Sequence, residues 1–160
     1  MEYVILAPIL FGSCSACLSF SESKVLEFVH EQQRSGTLKR ACDFLYVDID
    51  DRWIHQIAPF IQEEGFSEPP YFGSELVGAH ISVAFPSEIE KISEIAECGK
   101  EIDFDPKRCE IVYLENPNPF LPNVKELYLL IIEAPQLDRI REKYGLLKQS
   151  YPFHITLGVK

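Results

Sequence analysis

The feature that most constrains this chain of 160 residues is a six-residue pattern that occurs twice. Residues 80–85 read HISVAF and residues 154–159 read HITLGV. In both, a histidine is followed by isoleucine, a hydroxyl residue, an aliphatic residue, a small residue and an apolar residue. Alternation of polar and apolar side chains is typical of a β-strand with one buried face. The repeat therefore predicts two equivalent strands.

Strand geometry predicts which side chains of the repeat share a face. Side chains two residues apart point the same way, so His80 lies with Ser82 and His154 lies with Thr156. The apolar rows between them are expected to lie under helices: Ile81, Val83, Phe85, Ile155, Leu157 and Val159. The polar rows continue into small residues that would leave room above the strands: Ala84 and Gly158. Together, the two polar rows predict the floor of a cleft.

The rest of the chain is predicted to interleave helices with strands. Helical spacing of apolar residues, with capping signals at the ends, predicts four helices, at residues 19–34, 51–65, 86–99 and 135–144. Apolar runs predict seven strands, at residues 3–6, 44–49, 76–85, 101–105, 110–114, 125–133 and 153–159. Short connections such as residues 105–108 suit hairpins, so we expect an α+β fold with antiparallel strands and helices on one face. The length fits one domain, residues 1–160, made of two halves.

The composition predicts an ordinary soluble protein of the cytoplasm. Hydrophobic residues make up 46% of the chain, but no apolar run approaches the roughly 18 residues that a transmembrane helix needs. The first residues lack the basic start of an export signal. The five cysteines do not resemble a disulfide framework, so we expect reduced thiols. Cys14 and Cys17 form a Cys-x-x-Cys pair, but a zinc or redox site would need further ligands, so that interpretation is disfavoured.

The charge of the chain narrows the classes of partner. A net charge of -10 opposes attraction to a polyphosphate backbone, so neither duplex nucleic acid nor a broad RNA surface is expected. Four basic residues before the second motif could attract an anion locally, although a solvated helix face is the favoured interpretation: Arg139, Arg141, Lys143 and Lys148. No membrane partner is expected, and without any signal for assembly we expect a monomer.

Two histidines that face one another suit the cleavage of a phosphodiester. Imidazole titrates near pH 6.5, so one ring can accept a proton from the attacking oxygen while the other donates a proton to the departing oxygen. The hydroxyls of Ser82 and Thr156 can donate hydrogen bonds to the nonbridging phosphate oxygens. This chemistry requires no metal and no other cofactor. Which of His80 and His154 is the acid and which is the base stays open.

The two motifs, their positions and their flanking residues resemble those of the two-histidine (2H) phosphoesterases. The stretch 151–158, YPFHITLG, is especially similar to the second motif of that family. The resemblance covers most of the chain. It implies a bilobal, pseudo-twofold α+β fold in which antiparallel sheets line a central cleft and helices lie outside. It also implies metal-independent catalysis on 2',3'-cyclic phosphates, on 2',5'-linked or 3'-terminal phosphodiesters of RNA, or on small cyclic nucleotides.

Several alternatives stay open from the sequence. Three aromatic residues near the motifs could stack on a nucleobase or serve only in packing: Tyr151, Tyr71 and Phe72. Asp48, Asp50 and Asp51 could hold magnesium, although capping of the following helix is favoured. The chain could also be a noncatalytic nucleotide- or RNA-binding module, or a component of RNA-end repair or ligation.

Overall fold

The computed structural model describes residues 20–41, 44–72, 76–114 and 121–160. The predicted strand at residues 3–6, the predicted helix start at Ser19 and the Cys14–Cys17 pair lie outside these residues. In chain order the elements are α1 (Phe20–His30), β1 (Ser35–Ala41), β2 (Phe44–Asp48), α2 (Arg52–Ile61), a 3-10 turn (Gln62–Glu64), β3 (His80–Ala84), α3 (Pro86–Ile89), β4 (Glu101–Asp103), β5 (Asp105–Tyr113), β6 (Glu126–Glu133), α4 (Pro135–Lys143) and β7 (His154–Val159).

The strands form one antiparallel sheet in the order β4-β1-β2-β3-β7-β6-β5. The two strands that carry the motifs, β3 and β7, are therefore neighbours near the middle of the sheet. Each half repeats one succession of a hairpin, a helix and a motif strand. This succession is β1, β2, α2 and β3 in the first half, and β5, β6, α4 and β7 in the second. The predicted α+β class and pseudo-twofold arrangement are confirmed.

The sheet is curled, because its two edge strands are consecutive in the chain. Phe104 alone separates β4 from β5, so the chain passes directly from one edge of the sheet to the other. The Phe104 ring is buried against Trp53, with centroids 5.7 Å apart. The prediction of a hairpin at residues 105–108 is therefore wrong. These residues begin β5, and its pairing with β6 shifts at a bulge there.

The helices cover one face of the sheet, and the largest hydrophobic cluster lies between the two layers. It joins the apolar rows of β3 and β7 to the apolar stripe of α2: Ile81, Val83, Ile155, Leu157, Ile54, Ile57 and Ile61. Because members come from both halves of the chain, the two halves share one core. None of the helices in the described part combines the length and the apolar character that crossing a bilayer requires.

The third helix is much shorter than predicted. It ends at Ile89 instead of continuing to Gly99. In a longer helix, the carbonyl of Ile92 would accept from the N–H of Ala96. The guanidinium of Arg40 instead donates to that carbonyl at 2.7 Å, and Ala96 donates to the hydroxyl of Tyr144 at 2.8 Å. Partners from distant parts of the chain thus replace the helical hydrogen bond.

Other elements also differ from the prediction: β3 begins at His80 rather than at residue 76, and β5 begins at Asp105 rather than at residue 110. The sequence does not predict β1, because its residues, SGTLKRA, are mostly polar and only Leu38 is fully buried. The first helix ends at His30 rather than at Arg34. Arg34 instead pairs with Asp105 at 3.3 Å.

Candidate active site

The two motifs meet at the centre of the sheet. β3 and β7 run antiparallel, with Ile81 paired to Ile155. Continuing this register by one residue on each side sets His80 across from Thr156 and Ser82 across from His154. These four side chains lie on the face away from the helices, because the two isoleucines between them are fully buried on the helix face. The structure therefore brings the four predicted residues together.

Both histidine rings are held by the same local contact. Nδ1 of His80 lies 2.7 Å from the carbonyl oxygen of Gly78, and Nδ1 of His154 lies 2.9 Å from that of Pro152. A carbonyl oxygen only accepts, so Nδ1 carries the proton in both rings and Nε2 of the neutral ring carries the lone pair. Within the described residues neither Nε2 has a hydrogen-bond partner. Each ring thus presents an atom that can take or give a proton.

The two rings also influence each other's protonation. Burial lowers the pKa of His80 and of His154 below the usual value, because desolvation disfavours the charged ring. The bonds to the backbone carbonyls, the charge of Asp48 near His80 and that of Glu110 near His154 partly oppose this effect. The charge of His80 lowers the pKa of His154 further. Protonation of one ring therefore disfavours protonation of the other.

Aromatic rings surround His80. Phe44, Tyr46 and Tyr71 meet the imidazole edge-on, with centroids 5.7, 6.0 and 5.0 Å from it. Phe44 stacks on Tyr46 at 5.4 Å and lies 5.9 Å from the ring of Phe85. We call Phe44, Tyr46 and Phe85 the aromatic shelf. None of these three residues was predicted as part of the site, although the spacing of Phe44 and Tyr46 by two residues indicates that they share a strand face.

Both motif strands contain a β-bulge directly after the hydroxyl residue. β2 pairs Tyr46 with Ser82 but Leu45 with Ala84, so Val83 is passed over. The second half repeats this shift, since β6 pairs Leu129 with Thr156 but Tyr128 with Gly158. One extra residue in a strand shifts the alternation of its side chains by one. The residues after the bulge therefore change face.

The bulges make three predictions wrong. Ala84 and Gly158 do not continue the polar rows: Ala84 is fully buried in the core, and a Cβ at Gly158 would lie 2.6 Å from Cδ1 of Ile61 on the helix side. Phe85 does not lie under the helices, since it is 48% exposed and contacts Phe44. Because of the bulge, Phe85 rather than Ala84 lies on the face of the site.

A carboxylate supports the backbone that precedes His80. Oδ1 of Asp51 accepts from the N–H of Ala79 at 2.7 Å. Gly78, whose carbonyl holds His80, has φ +67°, and its N–H donates to the carbonyl of Tyr71 at 3.0 Å. A Cβ at Gly78 would overlap the carboxylate of Asp51, so this close approach requires glycine. Asp51 therefore fixes the two residues that position the His80 ring.

The three carboxylates of residues 48–51 have three different partners. Asp48 lies across from His80 in the neighbouring strand, and its carboxylate accepts a hydrogen bond from Lys39 at 2.6 Å. Asp50 accepts from the N–H of Arg52 at 3.0 Å, so the helix-capping prediction is confirmed for this residue. The same prediction is wrong for Asp51, which makes no capping bond. In the described ranges, no group of three or more His, Cys, Asp or Glu residues is arranged to hold a metal.

His154 has a different environment from His80. The Tyr151 ring meets it edge-on at 5.5 Å, and the Tyr151 hydroxyl donates to the carboxylate of Glu110. Burial and the neighbouring carboxylate raise the pKa of Tyr151, so the phenol keeps its proton. Leu129 and Ile131 of β6, with Val112 of β5, form a small apolar cluster beside Tyr151.

The structure gives the three residues that could stack on a base different surroundings, although the rings of Tyr71 and Phe72 contact each other, with centroids 5.4 Å apart. The hydroxyl of Tyr71 donates to the carbonyl of Thr156 at 2.7 Å, so Tyr71 ties the segment before β3 to the second motif strand. Tyr151 stands beside His154. Phe72 is not brought to either catalytic candidate: its ring lies 4.8 Å from His55 on α2. Stacking on a base by Tyr71, Phe72 or Tyr151 stays a prediction.

Two of the basic residues before the second motif have defined partners. Arg141 is 3% exposed, donates to the carbonyl of Val83 at 2.5 Å and pairs with Glu88 at 2.6 Å. The expectation of a solvated side chain is therefore wrong for Arg141. Lys143 pairs with Glu97 at 2.5 Å.

One comparison with known proteins gives a match. The family described as "Swiss Army Knife, 2H phosphoesterase domain" matches residues 45–160. This stretch begins in β2 and contains both histidine motifs. No curated protein and no solved structure matches the chain.

Proposed function

The chain belongs to the two-histidine (2H) phosphoesterases, whose domain supports phosphodiesterase-type activity, and we propose that it is a metal-independent phosphodiesterase. The proposed substrate is a 2',3'-cyclic phosphate, a 2',5'-linked or a 3'-terminal phosphodiester of RNA or of a small nucleotide. One observation carries the proposal. His80 and His154 lie on facing motif strands, and a backbone carbonyl holds Nδ1 of each ring so that Nε2 is available.

The proposed reaction uses one neutral and one protonated ring. Nε2 of the neutral histidine takes a proton from the attacking water, whose oxygen forms the new bond to phosphorus. Nε2 of the protonated histidine gives its proton to the departing ester oxygen as the P–O bond breaks. After one turnover the histidine that acted as the base is protonated and the histidine that acted as the acid is neutral. The mutual repulsion of two charged rings disfavours the doubly protonated state, in which no base would be available.

The hydroxyls of Ser82 and Thr156 are proposed to hold the phosphate. Both share the face of the histidines, and each lies across from the histidine of the other motif. Their O–H groups can donate to the two nonbridging oxygens, where charge must be stabilised in the transition state. Within the described residues neither hydroxyl is engaged by another protein group. Both donors are therefore available to a substrate.

We further propose that the protein acts in the cytoplasm, as a monomer, on a nucleotide or on the 3' end of an RNA. Cys98 and Cys109 are free thiols, which suits a reducing compartment. Cys42, Cys14 and Cys17 lie outside the described residues.

A substrate panel tests the proposal. The wild type is incubated in EDTA with 2',3'-cyclic nucleotides, 2',5'- and 3',5'-linked dinucleotides, and short RNAs with defined 3' ends. The His80→Ala, His154→Ala double variant is the matched control. We expect turnover of at least one linkage by the wild type alone. Loss of activity in EDTA, or equal activity in the double variant, would contradict the mechanism. Binding without turnover across the whole panel would favour a noncatalytic module.

A further inference from the structure

We propose that the substrate of this site carries a single phosphoryl group and that its base lies on the aromatic shelf, so that a mononucleotide is preferred over an RNA strand. This inference rests on the function proposed above and names the substrate class. Two observations carry it: the pairing of the cations that flank the motifs, and the position of Phe85.

The strand register places one cation on each side of the two motifs. Lys39 of β1 lies across from Tyr46, which lies across from Ser82. Arg108 of β5 lies across from Ile131, which lies across from His154. Each cation is therefore two strands away from a motif residue, roughly 10 Å. These are the positions from which a neighbouring backbone phosphate of an RNA strand could be held.

Both flanking cations are already neutralised by carboxylates on the same face. Lys39 binds Asp48 at 2.6 Å, and Arg108 binds Glu110 at 3.1 Å. The Glu110 carboxylate is in turn bound by the Tyr151 hydroxyl. A second phosphate above either pair would meet a fixed carboxylate as well as a cation. The flanks of the site therefore do not favour a polyanion, in agreement with the net charge of -10.

The aromatic shelf supplies a surface for an uncharged ring on the His80 side of the site. Phe44 contacts the imidazole of His80, and Phe85 contacts Phe44. Phe85 is 48% exposed, although it follows a strand whose other apolar residues are buried. The bulge at Val83 turns it out of the core. Aromatic side chains bind unpaired bases by stacking on them, without a strong preference for sequence.

The affinities for two reaction products that differ in length test the proposal independently of turnover. We would titrate the protein with a nucleoside 3'-monophosphate and with a pentanucleotide that ends in the same 3'-phosphate, at low and at moderate salt. The expected result is that the mononucleotide binds at least as tightly as the pentanucleotide, and that salt weakens both equally. A pentanucleotide that binds tenfold more tightly, with a steeper salt dependence, would overturn the single-phosphate inference.

Variants of the aromatic shelf test the proposal that the base of the substrate lies on it. Phe85→Ala should weaken binding of the mononucleotide at least about fivefold, as expected for loss of one stacked base. It should leave binding of ribose 3-phosphate, which has no base, unchanged. Tyr113→Ala is the matched control, since Tyr113 is 67% exposed and alternates with Val112 onto the opposite face. Phe44→Leu, which keeps an apolar side chain, gives a second shelf variant.

The outcomes distinguish the two proposals. Turnover in the wild type with no effect of Phe85→Ala on mononucleotide binding would overturn the shelf and leave the phosphodiesterase intact. Tight, Phe85-dependent mononucleotide binding without turnover would overturn the enzyme and leave the shelf intact.

Discussion

The two halves of the molecule build the same backbone around their histidines but surround them with different chemistry. Each half places its histidine at the start of a motif strand, binds Nδ1 to the carbonyl two residues earlier and bulges after the hydroxyl. The residue across from the histidine in the neighbouring strand is Asp48 in the first half and Ile131 in the second. The same backbone arrangement therefore places different side chains next to the two histidines.

Both rings nevertheless have a carboxylate that raises their pKa, Asp48 for His80 and Glu110 for His154. The Glu110 carboxylate is bound by the Tyr151 hydroxyl and by Arg108, whereas the Asp48 carboxylate is bound by Lys39. The two rings therefore differ in the partners of that carboxylate rather than in having one.

The largest expected effect comes from removing either ring. His80→Ala and His154→Ala should each lower kcat about 10²- to 10⁴-fold, because each removes one proton transfer. His55→Ala is the matched control, since His55 lies on α2, outside the motifs, and pairs with Glu68. Steady-state kinetics, with circular dichroism to verify folding, measure the effect. Full activity in one motif variant would show that only one half is catalytic.

A smaller effect is expected from removing the carboxylate that supports the backbone before His80. Asp51→Ala removes the acceptor of the Ala79 N–H and should lower kcat about 10- to 100-fold, since a misplaced catalytic group loses rate steeply. Asp51→Asn keeps an acceptor oxygen and should restore most of the activity. Asp50→Ala loses the bonds to the N–H and the guanidinium of Arg52 but no contact with the segment before His80, so its kcat should equal that of the wild type. An Asp51→Asn variant as poor as Asp51→Ala would contradict this positioning role.

A still smaller effect is expected from the carboxylate of Asp48, which lies across from His80, whereas Ile131 lies across from His154. Asp48→Asn removes the carboxylate that raises the pKa of His80 and should move one limb of the pH–rate profile to lower pH, by less than about one unit. Ile131→Val, at the equivalent position of the second half, should leave the profile in place. A shift in the opposite direction would disprove the role of Asp48.

The smallest effect concerns stability. Because the pKa of both histidines is lowered in the folded state, the unfolded chain binds more protons below about pH 6.5. The histidines therefore make the folded protein less stable as the pH falls through that range. The wild type should lose more Tm between pH 7.5 and pH 5.5 than the His80→Gln, His154→Gln double variant. Equal losses would show that the rings are not desolvated.

Much of the fold and the centre of the site could be predicted from the sequence, because both depend on local patterns. Alternation along residues 80–85 and 154–159 identified β3, β7 and the face that His80 and His154 share. Features that depend on distant partners could not be predicted. The alternation continues through Phe85 in the sequence, but the register with β2 passes over Val83 and turns Phe85 outward.

The same limit applies to the supports of the site. Aspartate before a helix is typical of an N-cap, which is why Asp51 was predicted to cap α2. Its carboxylate binds the N–H of Ala79 instead, and Ala79 comes from another segment of the chain. The short third helix has a similar cause, since Arg40 takes a carbonyl that local propensity would assign to the helix. In each case a long-range hydrogen bond overrides a local preference.

The central claim is that the two halves supply one acid and one base to a single reaction. The most direct test is the pH profile of kcat/KM in EDTA, measured beside an NMR titration of the two histidine rings. We expect a bell-shaped profile whose two apparent pKa values lie below about 6.5 and match the coupled titration of His80 and His154. A profile with one limb, or limbs that do not follow the two rings, would contradict it.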